Sequence, residues 1–143
     1  MCAETINESI NVCKYLGSER KNKIVEGEVI LPDIKPDILS IVRMRGRVCI
    51  NNIKPEDGRI NIDGTVYVNV IYIADDEMNS QRGTNYEIDF SESISFPGVK
   101  EDSIIRLRFD VGSIEYKVIN GRKIAIKVPI SFYAKAFNNC DIN

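Results

Sequence analysis

Val25-Glu26-Gly27-Glu28-Val29-Ile30-Leu31-Pro32-Asp33-Ile34-Lys35-Pro36-Asp37-Ile38-Leu39 is the stretch whose reading decides the fold. A short apolar run leads into two Pro-Asp pairs four residues apart. Proline fixes φ, removes a backbone donor and pushes the residue before it into an extended conformation. Two prolines at this spacing make a stiff, non-helical corner. An Asp behind each proline is placed to fold back on nearby backbone N–H groups. Pro32, Asp33, Pro36 and Asp37 therefore read as a structural turn motif that carries no catalytic group.

Outward from the corner, most of the chain alternates apolar and polar residues with period two, the pattern of half-buried strands. From Arg59 to Tyr72 the apolar positions are Ile60, Ile62, Val66, Val68, Val70 and Tyr72. From Tyr86 to Phe96 they are Tyr86, Ile88, Phe90, Ile94 and Phe96. Ile105, Leu107, Phe109 and Val111 keep odd numbers, and the phase then flips to Ile114, Tyr116 and Val118. A flip at Gly112-Ser113 predicts a β-bulge or a strand that turns a corner between sheets. The last run, Ile124 to Ala136, is interrupted by Pro129, which predicts a sheet edge or a bulge there. Pro55-Glu56-Asp57-Gly58 and Asn120-Gly121 predict hairpins, and Phe96-Pro97-Gly98 ends a strand. Asp75–Thr84 reads as a polar, solvated loop, and Asp37–Val42 as the start of a short helical turn capped by Asp37. Residues 1–22 fit two patterns. Thr5 and Glu8 make a capping box with Ile6, Ile10 and Cys13 on one helical face, while Ile10 and Val12 also fit an extended arm. The expected fold is all-β: one antiparallel β-sandwich or jelly-roll-like domain with a flexible N-terminal arm. The expected division is a partly extended arm over 1–22, a β domain over 23–137 and a tail over 138–143.

Composition removes several classes of function. At 143 residues the chain is the size of one domain with a core of its own. A net charge of −2 gives no electrostatic case for nucleic acid, which needs a clustered basic face. No apolar run is long enough for a membrane span. The N-terminus shows no basic region followed by an apolar stretch, so synthesis without a signal peptide is expected. Histidine is absent, which removes the commonest general base and every His-containing triad. No phosphate loop or nucleophile elbow is present, and Asp75-Asp76-Glu77 lacks the ligand spacing of a dedicated Ca²⁺ loop. The chain is expected to be no enzyme and to need no cofactor. Four cysteines occur, with no pair at CxxC spacing, so no metal site is expected. Cys2, Cys13 and Cys140 lie near the termini, where segments are usually exposed, and are disulfide cross-link candidates between subunits or between the two tails. The alternative is free thiols in a reducing compartment. Cys49 fits either face of its strand. Glu26 and Glu28 read as solvent-facing, Lys123, Lys127 and Lys135 as a polar face or edge protection, and Tyr67 and Tyr133 as outward aromatics.

The Val25–Leu39 segment resembles the hallmark of the SPOCS domain, found in spore coat and spore morphogenesis proteins, often beside a LysM module. Gly46-Arg47-Val48, Gly64-Thr65-Val66 and Val70-Ile71-Tyr72-Ile73-Ala74 resemble its central hairpin. Phe96-Pro97-Gly98-Val99 resembles its next turn, and Tyr116 to Ile124, with Arg122 after the turn, its closing hairpin. The likeness runs over roughly residues 10–136 and favours strand over helix at 10–16. It implies a protein made in the mother-cell cytoplasm and deposited on the spore surface. With one domain copy and terminal cysteines, it implies a building block of coat, exosporium or appendage. The partners implied are further copies, met through arm and sheet-edge contacts, and other spore coat proteins, with no nucleic acid and no membrane. The alternative is a soluble morphogenesis adaptor that binds another coat protein without self-assembly.

Overall fold

A computed structural model describes residues 14–138. Seven strands follow in chain order: β1 Lys14–Ile30, β2 Ile38–Glu56, β3 Arg59–Ala74, β4 Gln81–Ser95, β5 Ile104–Val111, β6 Glu115–Asn120 and β7 Lys123–Asn138. They form two antiparallel sheets. In the first, β7 lies between β1 on one side and β5 with β6 on the other; in the second, β2, β3 and β4 are a meander. β1 lies over β4 and β5 over β2, so the two sheets make a sandwich. The expected all-β sandwich is the observed fold.

The core follows from the alternation. Even-numbered side chains of β3 and β7 point inward, and from Ile60 to Ala74 and Ile124 to Ala136 each apolar one is at most 1% exposed. Burial of this kind is worth about 25 cal/mol per Å² of apolar surface, and it locks strand register. Phe90 and Phe132 meet in the middle with ring centroids 6.1 Å apart. The β2–β3 hairpin turns at Asp57-Gly58, where Gly58 takes φ 75°, a left-handed conformation that glycine adopts without Cβ strain.

The phase flip and Pro129 prove to be one device. β5 and β6 pair in succession with β7, and Gly112–Ile114 is the break between them. The Gly112 N–H donates to the Pro129 carbonyl at 2.8 Å. N–H and C=O of one strand residue face the same side, so the donor that Pro129 lacks would have faced this break. β7 is the central strand, so the sheet-edge expectation for Pro129 does not hold, and β7 passes Pro129 in unbroken register with β1. The irregularity lies across from it, where residues 112–114 of the β5–β6 side span Val128 and Pro129. The β7 lysines accordingly belong to a polar face and protect no edge.

Two local expectations are corrected. Asp37–Val42 forms no helical turn; β2 begins at Ile38. Register shifts between Ile38 and Ser40 and between Ile41 and Arg43 each insert a residue, so Ile38, Ile41 and Met44 all face the core. Bulges in a strand thus imitate helical spacing. Lys14–Asn22, expected in the arm, is already the first part of β1, paired with β7. The capping box at Thr5 and Glu8 lies outside the described residues, as do Cys2, Cys13 and Cys140.

Candidate functional site

The Pro-Asp corner joins β1 to β2, and therefore one sheet to the other. The Lys35 N–H donates to the Pro32 carbonyl at 3.0 Å, which closes a β-turn over residues 32–35. The corner docks on the β6–β7 hairpin. Leu31 N–H donates to Arg122 O at 3.0 Å, and Ile38 N–H donates to Gly121 O at 2.7 Å. The side chain of Arg122 enters the corner. Its Nη1 donates to Lys35 O at 2.9 Å and to Asp37 Oδ1 at 2.6 Å; its Nη2 donates to Pro32 O at 2.7 Å and Leu31 O at 3.4 Å. A planar guanidinium presents several donors in a fixed fork, which suits a cluster of carbonyls that have lost strand partners.

Three further contacts complete the corner. Tyr72, fully buried on β3, donates its hydroxyl to Pro36 O at 2.9 Å. Burial pushes this hydroxyl above the ordinary tyrosine pKa, so it stays a donor. Asp75 N–H donates to Asp37 O at 2.8 Å. Gly121 lies against Asp37, where a Cβ would come within 3.1 Å of the Asp37 Cβ and Oδ2. The hairpin tip itself is held by Asn120 Oδ1, which accepts from the Arg122 N–H at 2.8 Å.

The structure thus places all four turn residues in one corner but changes the role of the two acids. Asp37 accepts from a guanidinium rather than from nearby N–H groups, and Asp33 is exposed without a hydrogen bond. Arg122, flagged in the sequence only by its resemblance, proves to be the central donor. Its signal was the separation of some ninety positions, which no local pattern reports. The acidic loop is a second, smaller tie. Asp76 accepts from the backbone N–H groups of Met78 and Ser80 and from the Ser80 hydroxyl at 2.6 Å. These bonds, the Ser80 hydroxyl first, hold its carboxyl below the ordinary range. The loop ends sooner than expected, because β4 starts at Gln81.

The outer faces carry the remaining polar groups. On the β1–β7–β5 sheet, Arg20, Tyr133 and Arg108 lie opposite one another across the three strands. The guanidinium carbons stand 5.3 Å and 4.7 Å from the Tyr133 ring centroid. Toward the corner the same face changes character: Glu28 pairs with Lys123 at 3.1 Å and Glu26 with Lys127 at 3.7 Å. On the opposite sheet Arg47 stands 5.0 Å from the Tyr67 centroid, and the residue across from Tyr67 on β4 is Glu87. Cys49 faces outward opposite Thr65, yet it is buried and disulfide-bonded.

Among the described residues no group of metal-ligating side chains gathers, and no helix is long and apolar enough to cross a membrane. The site the structure builds is a clasp between two sheets. Compared with known proteins, the chain matches no curated protein and no solved structure. It does match the family model described as SipL, SPOCS domain, over residues 37–119. The match runs from the second Asp of the corner into β6, so Pro32, Asp33, Pro36 and Arg122 flank it. It covers more than half of the chain, and the chain therefore belongs to the SPOCS domain family and is a sporulation-related protein.

Proposed function

We propose that this chain is a non-enzymatic structural protein of the bacterial spore surface, in coat, exosporium or appendage, that self-assembles and is cross-linked through its terminal cysteines. Family membership carries this reading. The clasp supports it: Arg122, Asp37 and the carbonyls of the corner are engaged in joining two sheets, which makes a stiff module. In this reading the protein is made in the mother cell and deposited on the spore. An arm from one copy adds to a free sheet edge of the next, as strand addition does elsewhere. β6 is the edge that such an arm fits best, because all six of its residues are exposed, Tyr116, Val118 and Ile119 among them. Disulfides through those of Cys2, Cys13 and Cys140 that are not joined to Cys49 then fix the assembly once the surroundings turn oxidising, each worth about 2–4 kcal/mol when unstrained.

Negative-stain electron microscopy of the purified chain, with and without reductant, tests the proposal. Regular fibres, rings or sheets are expected under oxidising conditions, with loss of heat resistance on Cys→Ser replacement at all three tail positions. Small featureless particles under both conditions would favour the adaptor reading, in which the chain holds another coat protein without self-association.

A further inference from the structure

The half of the β1–β7–β5 outer face farther from the corner carries four cations that have no carboxylate partner. Arg20 and Arg108 flank Tyr133 in one cross-strand row. In the next row Lys135 and Arg106 stand directly opposite one another. Among the described residues none of the four forms an ion pair, whereas Lys123 and Lys127 on the same β7 face do. The nearby acid on this face is Asp110, one row on, opposite Ser131. Like charges directly opposite on neighbouring strands destabilise a sheet. A chain with net charge −2 has carboxylates enough to neutralise them and does not. Both guanidiniums lie against Tyr133, and the in-plane N–H fork of each suits carboxylates as the complement.

The other side of the sandwich carries carboxylates on β4, at the edge away from Arg45 and Arg47 of β2, which share that face across β3. Glu87 and Asp89 face outward from β4, an edge strand of the second sheet, and both are exposed. Glu87 makes no hydrogen bond or ion pair, and Asp89 accepts only from the Thr65 hydroxyl at 2.8 Å. The two acids are two residues apart on one strand face, a rise of about 6.8 Å. The two cation rows, marked by Arg106 and Arg108 on β5, repeat with the same rise. We infer that the basic face of one copy receives the β4 acids of a second copy, Glu87 and Asp89 each meeting one cation row. The two surfaces lie on opposite sides of the sandwich, so the contact is head-to-tail and adds copies into a ring or an open filament.

This inference rests on the self-assembly reading and names a contact that needs neither the arm nor a disulfide. Its test is sedimentation velocity of the full chain in reductant, at low and high salt. Wild type is expected to self-associate at low salt and to dissociate as salt rises. The double replacement Arg106→Glu with Arg108→Glu, or Glu87→Lys with Asp89→Lys, is expected to weaken association by at least about tenfold. Mixing the two double variants should restore it, because each supplies the surface that the other has reversed. Glu87→Lys alone serves if losing the Thr65 contact disturbs the fold, with a smaller shift in the same direction. Association unchanged in both double variants overturns the inference, and so does a mixture that fails to recover. A monomeric wild type that binds poly-glutamate overturns it too, by assigning the face to another protein. Charge variants that associate in reductant as wild type does and still form oxidised fibres overturn the contact and leave the self-assembly reading standing. A wild type that forms nothing with or without reductant overturns the self-assembly reading with it.

Discussion

Arg122 and Arg108 are the same side chain put to opposite uses. At the Pro-Asp corner the guanidinium of Arg122 donates to three carbonyls and a carboxylate, every one drawn from the segment that crosses between sheets. On the outer face Arg108 touches an aromatic ring that it shares with Arg20, and it finds no carboxylate. A charge surrounded by acceptors fixes geometry, because breaking it strands several polar groups at once. A charge clustered with its own kind contributes little to the fold and remains free to meet something else. Polar satisfaction therefore separates the part of this molecule that is architecture from the part that is available to a partner.

The contrast is broken most forcefully at the corner. Arg122→Ala should lower stability by about 2–3 kcal/mol in urea unfolding, since it leaves Asp37 and three carbonyls to water and to one another. Arg122→Lys keeps the charge but loses the fork, and should recover less than half of that loss. Tyr72→Phe, which deletes one bond to the same corner and leaves Pro36 O without its buried donor, should cost about 1–1.5 kcal/mol by the same measurement. On the outer face the expectation reverses. Arg108→Ala should shift stability by no more than about 0.5 kcal/mol in either direction, relief of like charge offsetting the lost ring contact. An effect there as large as at Arg122 would erase the distinction drawn between the two regions.

The smallest effect is local and pH-dependent. Asp76 has its folded-state carboxyl held below the ordinary value, chiefly by the Ser80 hydroxyl. A depressed folded pKa stabilises above the unfolded pKa, and that contribution disappears as pH falls through the lower folded value. Amide exchange at Met78 and Ser80 should therefore stay slow at about pH 4, where a free Asp is already half protonated, and speed up below it. Asp76→Asn should abolish the pH step while leaving the Pro-Asp corner protected.

Much of the fold was legible in alternation alone. The inward sets on β3 and β7 are the residues that period two selects, since a half-buried sheet leaves no other assignment. The break at Gly112 and the interruption at Pro129 were each visible too, though not that they face one another. The misreadings have physical causes. Two bulges near the start of β2 gave Ile38, Ile41 and Met44 a three-residue spacing, which belongs equally to a helix. The Pro-Asp doublet announced a stiff corner but not its partner, because Arg122 reaches it only after the chain has crossed both sheets. The basic face was illegible for the same reason. Arg20, Arg108 and Lys135 come from three strands, and nothing local sets them side by side.

By itself, then, the sequence determined the all-β class, the core-facing positions, the main hairpins and a corner built from prolines, since each is a property of neighbours along the chain. The tertiary structure alone decided that Arg122 clasps that corner, that β7 is central rather than an edge, and that four unpaired cations share one outer face. Strand order and register set those neighbours, and strand order comes from burying both sheets at once rather than from any short run of residues.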